Sequence, residues 1–231
     1  ADYRDGWLLN HTTSLNKSFI VKALRKYEFY FEKKYITQVD LITTVDPEMS
    51  NRLNNLFDKK SNYIYNGFWE FQDNEIEPEN NPKLILNHTG TLTPGQRVEF
   101  LLDCISELII ENEINKDEIE INFIGLEYFP EQIKRITKKS CLDNIIKTTP
   151  RISKVEATAK NLKADYLVNF TDENLSAIYG KSYHYMACKK EILVIPDDNK
   201  QLGNLIKENN LGHVFKTKEQ LKNFIVEKVK I

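Results

Sequence analysis

Gly90 is the residue whose type and place best suit a chemical task, and that task is holding phosphate. Gly90 follows a short apolar strand and reads as the opening of the next helix, with Gly95 five residues later. A phosphate beside that turn would meet free backbone N–H groups and the positive end of the helix dipole. Glycine also lets the backbone approach a ligand closely. The same spacing equally describes a plain strand-to-helix turn. Metal and thiol chemistry have less support. Cys104, Cys141 and Cys188 form no Cys-x-x-Cys pair, and no two of His11, His88, His184 and His213 share a helix at metal-ligand spacing. The acids between Glu107 and Glu120 read as a helix end and loop on a solvated face, so no metal is expected.

The elements that must position these residues begin at Lys83. Leu84 to Leu86 is a strand, and Leu101, Ile105, Leu108 and Ile109 then fall at helical spacing. Strands follow at Ile119 to Ile124, Ile145-Ile146, Tyr166 to Phe170, Ile192 to Ile195 and Val214-Phe215. Helices are read between them at Glu131 to Lys138, around Val155 to Leu162, at Ser176 to Cys188 and around Leu202 to Ile206. Thr217 and Gln220 fit a capping box for a last helix over 218–231. Such alternation predicts an α/β fold, a doubly wound parallel Rossmann-like sheet over 83–217. Its ligands would lie beyond the carboxyl ends of the strands, where strand order reverses.

Residues 1–67 read differently. Phe19, Ala23, Leu24, Tyr27 and Phe31 share one stripe of a long helix, Leu41 to Val45 is a strand, Pro47 to Phe57 a helix, and Tyr63 to Tyr65 a strand. These are too few for a domain, so 1–67 reads as the tail of an incomplete N-terminal domain. The stretch 68–82, acidic and Asn-rich, reads as a linker. Of the 231 residues, 41% are apolar and 29% charged, ordinary values for a globular protein. A formal charge of −2 provides no basic field for nucleic acid. No apolar run approaches the roughly 20 residues of a membrane span. Free thiols suit a reducing cytoplasm. The start at Ala1, without a Met, leaves room for an upstream segment.

Seven segments, in order, resemble the retaining GT-B glycosyltransferases often called family 4. They are Asp2-Tyr3-Arg4-Asp5-Gly6-Trp7, Asp40 to Val45, Ile64 to Phe68, Leu86-Asn87-His88-Thr89-Gly90-Thr91-Leu92, Ala164 to Val168, Gly180-Lys181-Ser182-Tyr183-His184-Tyr185-Met186-Ala187, and Glu191 to Ile195. Together they cover nearly the whole chain, and they resemble in particular enzymes that build bacterial capsule, teichuronic acid or lipopolysaccharide glycans. The resemblance implies a nucleotide-sugar site in the second domain and an acceptor site in the first. It implies that Gly90, Thr91, Arg97 and Lys181 approach the donor pyrophosphate. The loop around Thr149, stiffened by Pro150, would wrap the base. Ser176, Ser182 and His184 would lie near the ribose and sugar. Three positions depart from the family pattern: Thr91 replaces a frequent arginine, and Ser176 and His184 replace the two glutamates of a Glu-x7-Glu motif. Asp172 and Glu173 are nearby acids that could substitute. Trp7, Phe68 and Trp69 flank the expected domain junction.

The expected function is therefore donor binding within a cytoplasmic glycosyltransferase. It would move sugar from a nucleotide diphosphate to a glycan or lipid-linked acceptor in cell-surface polysaccharide synthesis. The nucleotide diphosphate sugar is its substrate, no cofactor is needed, and the first domain could associate peripherally with the inner membrane face. Without that domain the chain alone is expected to be inactive or nearly so. Two other readings stay open. A nucleotide-sugar epimerase of the same fold would need carboxylates and a histidine around the sugar, and no such cluster stands in the sequence. A degenerate donor-binding module acting with a partner would suit Ser176 and His184.

Overall fold

A computed structural model describes residues 1–4, 18–68, 82–126, 130–172, 176, 178–197 and 199–229. Trp7, Trp69, Glu173 and most of the expected linker lie outside the described residues. The chain divides into two compact units, Ala1–Gly67 and Phe68–Ile231.

The first unit holds β1 (Asp2–Tyr3), α1 (Phe19–Ile36), β2 (Ile42–Thr44), α2 (Pro47–Phe57) and β3 (Ser61–Tyr63). Its strands form a parallel sheet in the order β1-β2-β3. Asp46 caps α2 by accepting from the Met49 N–H at 2.8 Å, and Pro47 fits the first helical turn, where an N–H would have no partner. The core is small: Ile36, Ile42, Leu53 and Phe57, with Tyr3 and Phe29 against it. The stripe of α1 expected to pack is exposed at Phe19, Leu24 and Tyr27, and the face through Phe29, Glu32 and Ile36 is buried instead. Both faces have helical spacing, and contact with β2 and α2 chooses between them.

The second unit runs β4 (Leu84–Thr89), α3 (Glu99–Ile110), β5 (Ile119–Ile124), α4 (Pro130–Ile136), β6 (Ile146–Thr149), α5 (Lys154–Leu162), β7 (Tyr166–Phe170), α6 (Gly180–Ala187), β8 (Ile192–Ile195), α7 (Gln201–Glu208), β9 (Gly212–Val214) and α8 (Lys218–Val229). All six strands are parallel, in the order β6-β5-β4-β7-β8-β9. This is a doubly wound sheet whose order reverses between β4 and β7. Successive side chains alternate faces. Leu86, Phe123, Val168 and Leu193 join Leu101 and Ile105 of α3 and Phe224 of α8 in one core. Ile85, Leu167 and Val194 join Tyr185 of α6 and Leu202 and Ile206 of α7 in the other. With both faces covered, a strand such as β8 is a continuous apolar run.

Helix α8 starts at the Thr217–Gln220 box, where the Gln220 N–H donates to the Thr217 hydroxyl and the Thr217 N–H to Gln220 Oε1, each at 3.3 Å. Lys218 and Lys222 then pair with Asp103, Glu107 and Glu111, so part of the acidic run fastens α8 to α3. Two helix starts differ from the sequence reading. Helix α3 begins at Glu99, well after Gly90, because the intervening chain is pulled across to β7: the Arg97 N–H donates to the Thr171 carbonyl at 3.1 Å. Helix α6 begins at Gly180 rather than Ser176, behind an extended Tyr179.

Candidate functional site

Where strand order reverses, the chain leaves β4 through Gly90 and β7 through Thr171. Gly90 has φ +92° and Gly125, at the end of β5, has φ +91°. Side chains rarely tolerate that conformation. The Gly90 N–H donates to the Ile124 carbonyl at 2.7 Å, and the Gly125 N–H donates to the Thr149 carbonyl at 2.9 Å. A Cβ on Gly125 would lie 3.5 Å from the Gly90 Cα, so two side-chain-free turns stack at the sheet's carboxyl edge.

Over Gly90 lies Lys181, from the first turn of α6. A Cβ at Gly90 would be 3.9 Å from Lys181 Cε and 4.0 Å from Nζ. The ammonium donates to the Thr91 carbonyl and to His88 Nε2, both at 3.0 Å. His88 is 1% exposed. Its ring sits near those of Phe123 and Phe170, at centroid distances of 5.9 and 5.0 Å. His88 Nδ1 lies 2.9 Å from the Val168 carbonyl. That oxygen can only accept, so Nδ1 carries the proton and Nε2 offers a lone pair. Burial, and then the Lys181 charge, hold the His88 pKa well below its ordinary value. Lys181, half-buried as a residue, is lowered to about 7 by loss of water around its ammonium. A cation held over a glycine turn in this way is suited to meet an anionic oxygen.

The loop carrying Arg97 is braced from several sides. An Arg97 guanidinium N–H donates to the Thr171 hydroxyl at 3.3 Å, and that hydroxyl donates to the Pro196 carbonyl at 2.6 Å. Gln96 bridges to Asp172 and donates through Nε2 to the Phe170 carbonyl at 2.9 Å. Arg135 of α4 forks onto Glu99 of α3, and it donates to the Gln96 carbonyl at 2.7 Å and the Pro94 carbonyl at 3.2 Å. Gly95 leaves room for the Asp172 carboxylate, which a Cβ there would meet at 1.9 Å unless that side chain moved.

The fold thus brings Gly90, Thr91, Arg97 and Lys181 to the carboxyl edge of β4 and β7. Thr149 ends β6, its carbonyl engaged by Gly125. Ser176 is half-buried ahead of α6. Ser182 is fully enclosed, and its hydroxyl accepts from Asn169 Nδ2 at 3.1 Å, so its side chain faces the sheet and steadies α6 from beneath. His184 packs toward α5, with Nε2 3.3 Å from the Thr158 hydroxyl. That hydroxyl already donates to the Lys154 carbonyl at 2.7 Å, so it accepts from His184. Burial and then the Lys154 charge lower the His184 pKa. His88 was not singled out in the sequence as a site residue. Alternation along β4 puts it on the buried face with Leu84 and Leu86, where a polar group needs partners. Its partner stands 93 residues away.

Among the described residues no helix is long and apolar enough to cross a membrane, and no group of three or more His, Cys, Asp or Glu could hold a metal. No protein-family model and no curated protein matches the chain. Solved structures do. TarM of S. aureus, in complex with fondaparinux, α-GlcNAc-glycerol and UDP, matches at 13% identity with a TM-score of 0.65, over 89% of this chain and 40% of that one. HepE of Anabaena, in complex with UDP-glucose, matches at 12% identity and 0.61, over 89% of this chain and 58% of that one. The pneumococcal O-GlcNAc transferase GtfA, in complex with UDP and GlcNAc, matches at 11% identity and 0.57, over 86% and 39%. In each case the chain spans less than two thirds of the solved protein. The sheet order and these matches give the chain the doubly wound α/β fold seen in GT-B glycosyltransferases.

Proposed function

We propose that this chain is the donor-binding portion of a glycosyltransferase that takes sugar from a nucleotide diphosphate. The observation that carries the reading is the Lys181 ammonium held over the Gly90 turn, at the point where strand order reverses. The donor pyrophosphate would lie against Gly90 and Thr91, with Lys181 and Arg97 beside it. Positive groups fixed there stabilise charge that builds on the leaving diphosphate. The nucleotides and sugars bound by TarM, HepE and GtfA support the substrate class. The acceptor is a glycan or a lipid-linked sugar of a cell-surface polysaccharide, and the reading requires no cofactor.

Calorimetry on the 231-residue chain tests the donor site. UDP should bind more tightly than UMP, and Arg97→Ala should weaken UDP binding by about 1.5–3 kcal/mol, the range for a hydrogen bond to a charged group. Equal affinities for UDP and UMP would mean that no pyrophosphate site is formed. A second reading, a donor-binding module without turnover, is favoured by the turn of His184 toward Thr158, at a position where the family motif has a glutamate. Unchanged turnover on restoring glutamate at both 176 and 184, in the full-length protein, would weigh against a catalytic role for either position.

A further inference from the structure

The donor-site reading gives Lys181 a task but leaves unexplained why a histidine is buried beneath it. We propose that His88 is a positioning residue for phosphate binding: its Nε2 lone pair and the Thr91 carbonyl together hold the Lys181 ammonium over Gly90, leaving its third N–H for a phosphate oxygen of the ligand. This rests on the donor-site reading and adds to it a residue that acts only through Lys181.

Each part of the arrangement has a physical cause. The Val168 carbonyl fixes the tautomer, since only a protonated Nδ1 can donate to it. Phe123 and Phe170 pack against the ring and against each other, with their own ring centroids 6.1 Å apart. A lysine side chain otherwise has much rotamer freedom to lose when it is held in one place. Two acceptors that are themselves fixed remove that freedom before the ligand arrives, which is how preorganisation raises affinity. The groups that meet the ammonium among the described residues are His88 of β4 and the Thr91 carbonyl of the loop after it. The group that would compensate its charge is then the ligand. Its lowered pKa, about 7, fits that arrangement, because a bound phosphate would draw a proton back onto the amine.

The test is a double-mutant cycle on the full 231-residue chain, with UDP and inorganic pyrophosphate as probes and affinity measured between pH 7.5 and 9. His88→Phe keeps a ring against Phe123 and Phe170 and deletes the acceptor. It should weaken both probes roughly tenfold, the equivalent of one charged hydrogen bond. It should also shift the fall of affinity with rising pH to lower pH, because the amine loses its acceptor. In the Lys181→Met background the same substitution should change affinity less than about twofold. Wild-type affinity in His88→Phe, or losses that multiply with those of Lys181→Met, would overturn the proposal while leaving the donor site standing. If pyrophosphate binds and UDP does not, the nucleotide reading falls and the cycle on pyrophosphate decides the role of His88. Binding of neither probe overturns both. Should His88→Phe fail to fold, His88→Gln replaces it: its side-chain oxygen can accept from Lys181, so retained affinity supports the proposal and a tenfold loss overturns it.

Discussion

Lys181 should make the stability of this protein rise with pH across a range where most proteins show no gain. In the folded chain its pKa is about 7, and in the unfolded chain a lysine stays near its ordinary 10.5. Between those values the unfolded chain binds more protons than the folded one, so stability climbs as pH rises. The limiting slope is about 1.4 kcal/mol per pH unit. From pH 7.5 to 9.0 it amounts to at most about 2 kcal/mol, and solvent around a half-buried residue reduces this to about 1 kcal/mol. The comparison protein is Lys181→Met, and the assay is urea unfolding followed by circular dichroism at both pH values. Other groups titrate in this window. The thiols of Cys104 and Cys188 are pushed up by burial, to about 12 and about 11, so the unfolded chain loses those protons first and stability falls. That loss is common to both proteins, and subtracting the Lys181→Met profile removes it. His88 is neutral throughout. A gain of about 1 kcal/mol in the wild type relative to Lys181→Met is expected. Parallel profiles would mean that Lys181 is solvated, and the argument from its burial would fail.

Two further perturbations separate backbone strain from packing in the loop after β4. Gly90→Ala and Gly95→Ala should each destabilise, for different reasons. The first forces alanine to φ +92° with no contact to its Cβ closer than the 3.9 Å to Lys181, so the cost is backbone strain of about 1–2 kcal/mol. The second drives a Cβ into the Asp172 carboxylate, so Asp172→Ala should relieve Gly95→Ala and leave Gly90→Ala unaffected, as urea midpoints would show. Arg135→Ala removes the fork onto Glu99 and the donors to the Gln96 and Pro94 carbonyls; it should cost about 1–3 kcal/mol and raise hydrogen exchange in residues 95–97. Unchanged exchange there would show that the loop holds itself.

Much of the fold could be read from the sequence, because its signals are local. Tyr166–Phe170 and Ile192–Ile195 are short runs of mostly apolar residues closed by polar or proline positions, as strands covered on both faces must be. Pro47–Phe57 follows an aspartate cap, and the Thr217–Gln220 pair marks the last helix. Those patterns are enforced within a few residues, so they survive without the tertiary structure. What the sequence could not supply was each feature that depends on two distant segments meeting. Gly90 signalled a turn, but the chain beyond it is drawn away from helix by the carbonyl of Thr171, which no local rule places there. Ser182 and His184 are two residues apart on one helix, yet one is enclosed against Asn169 and the other turned toward Thr158. Helical periodicity fixes the angle between them but not which neighbour each meets. His88 showed a polar residue on an apolar face and nothing more. Its role came from Lys181, Val168 and the two phenylalanine rings, which only the doubly wound sheet brings together.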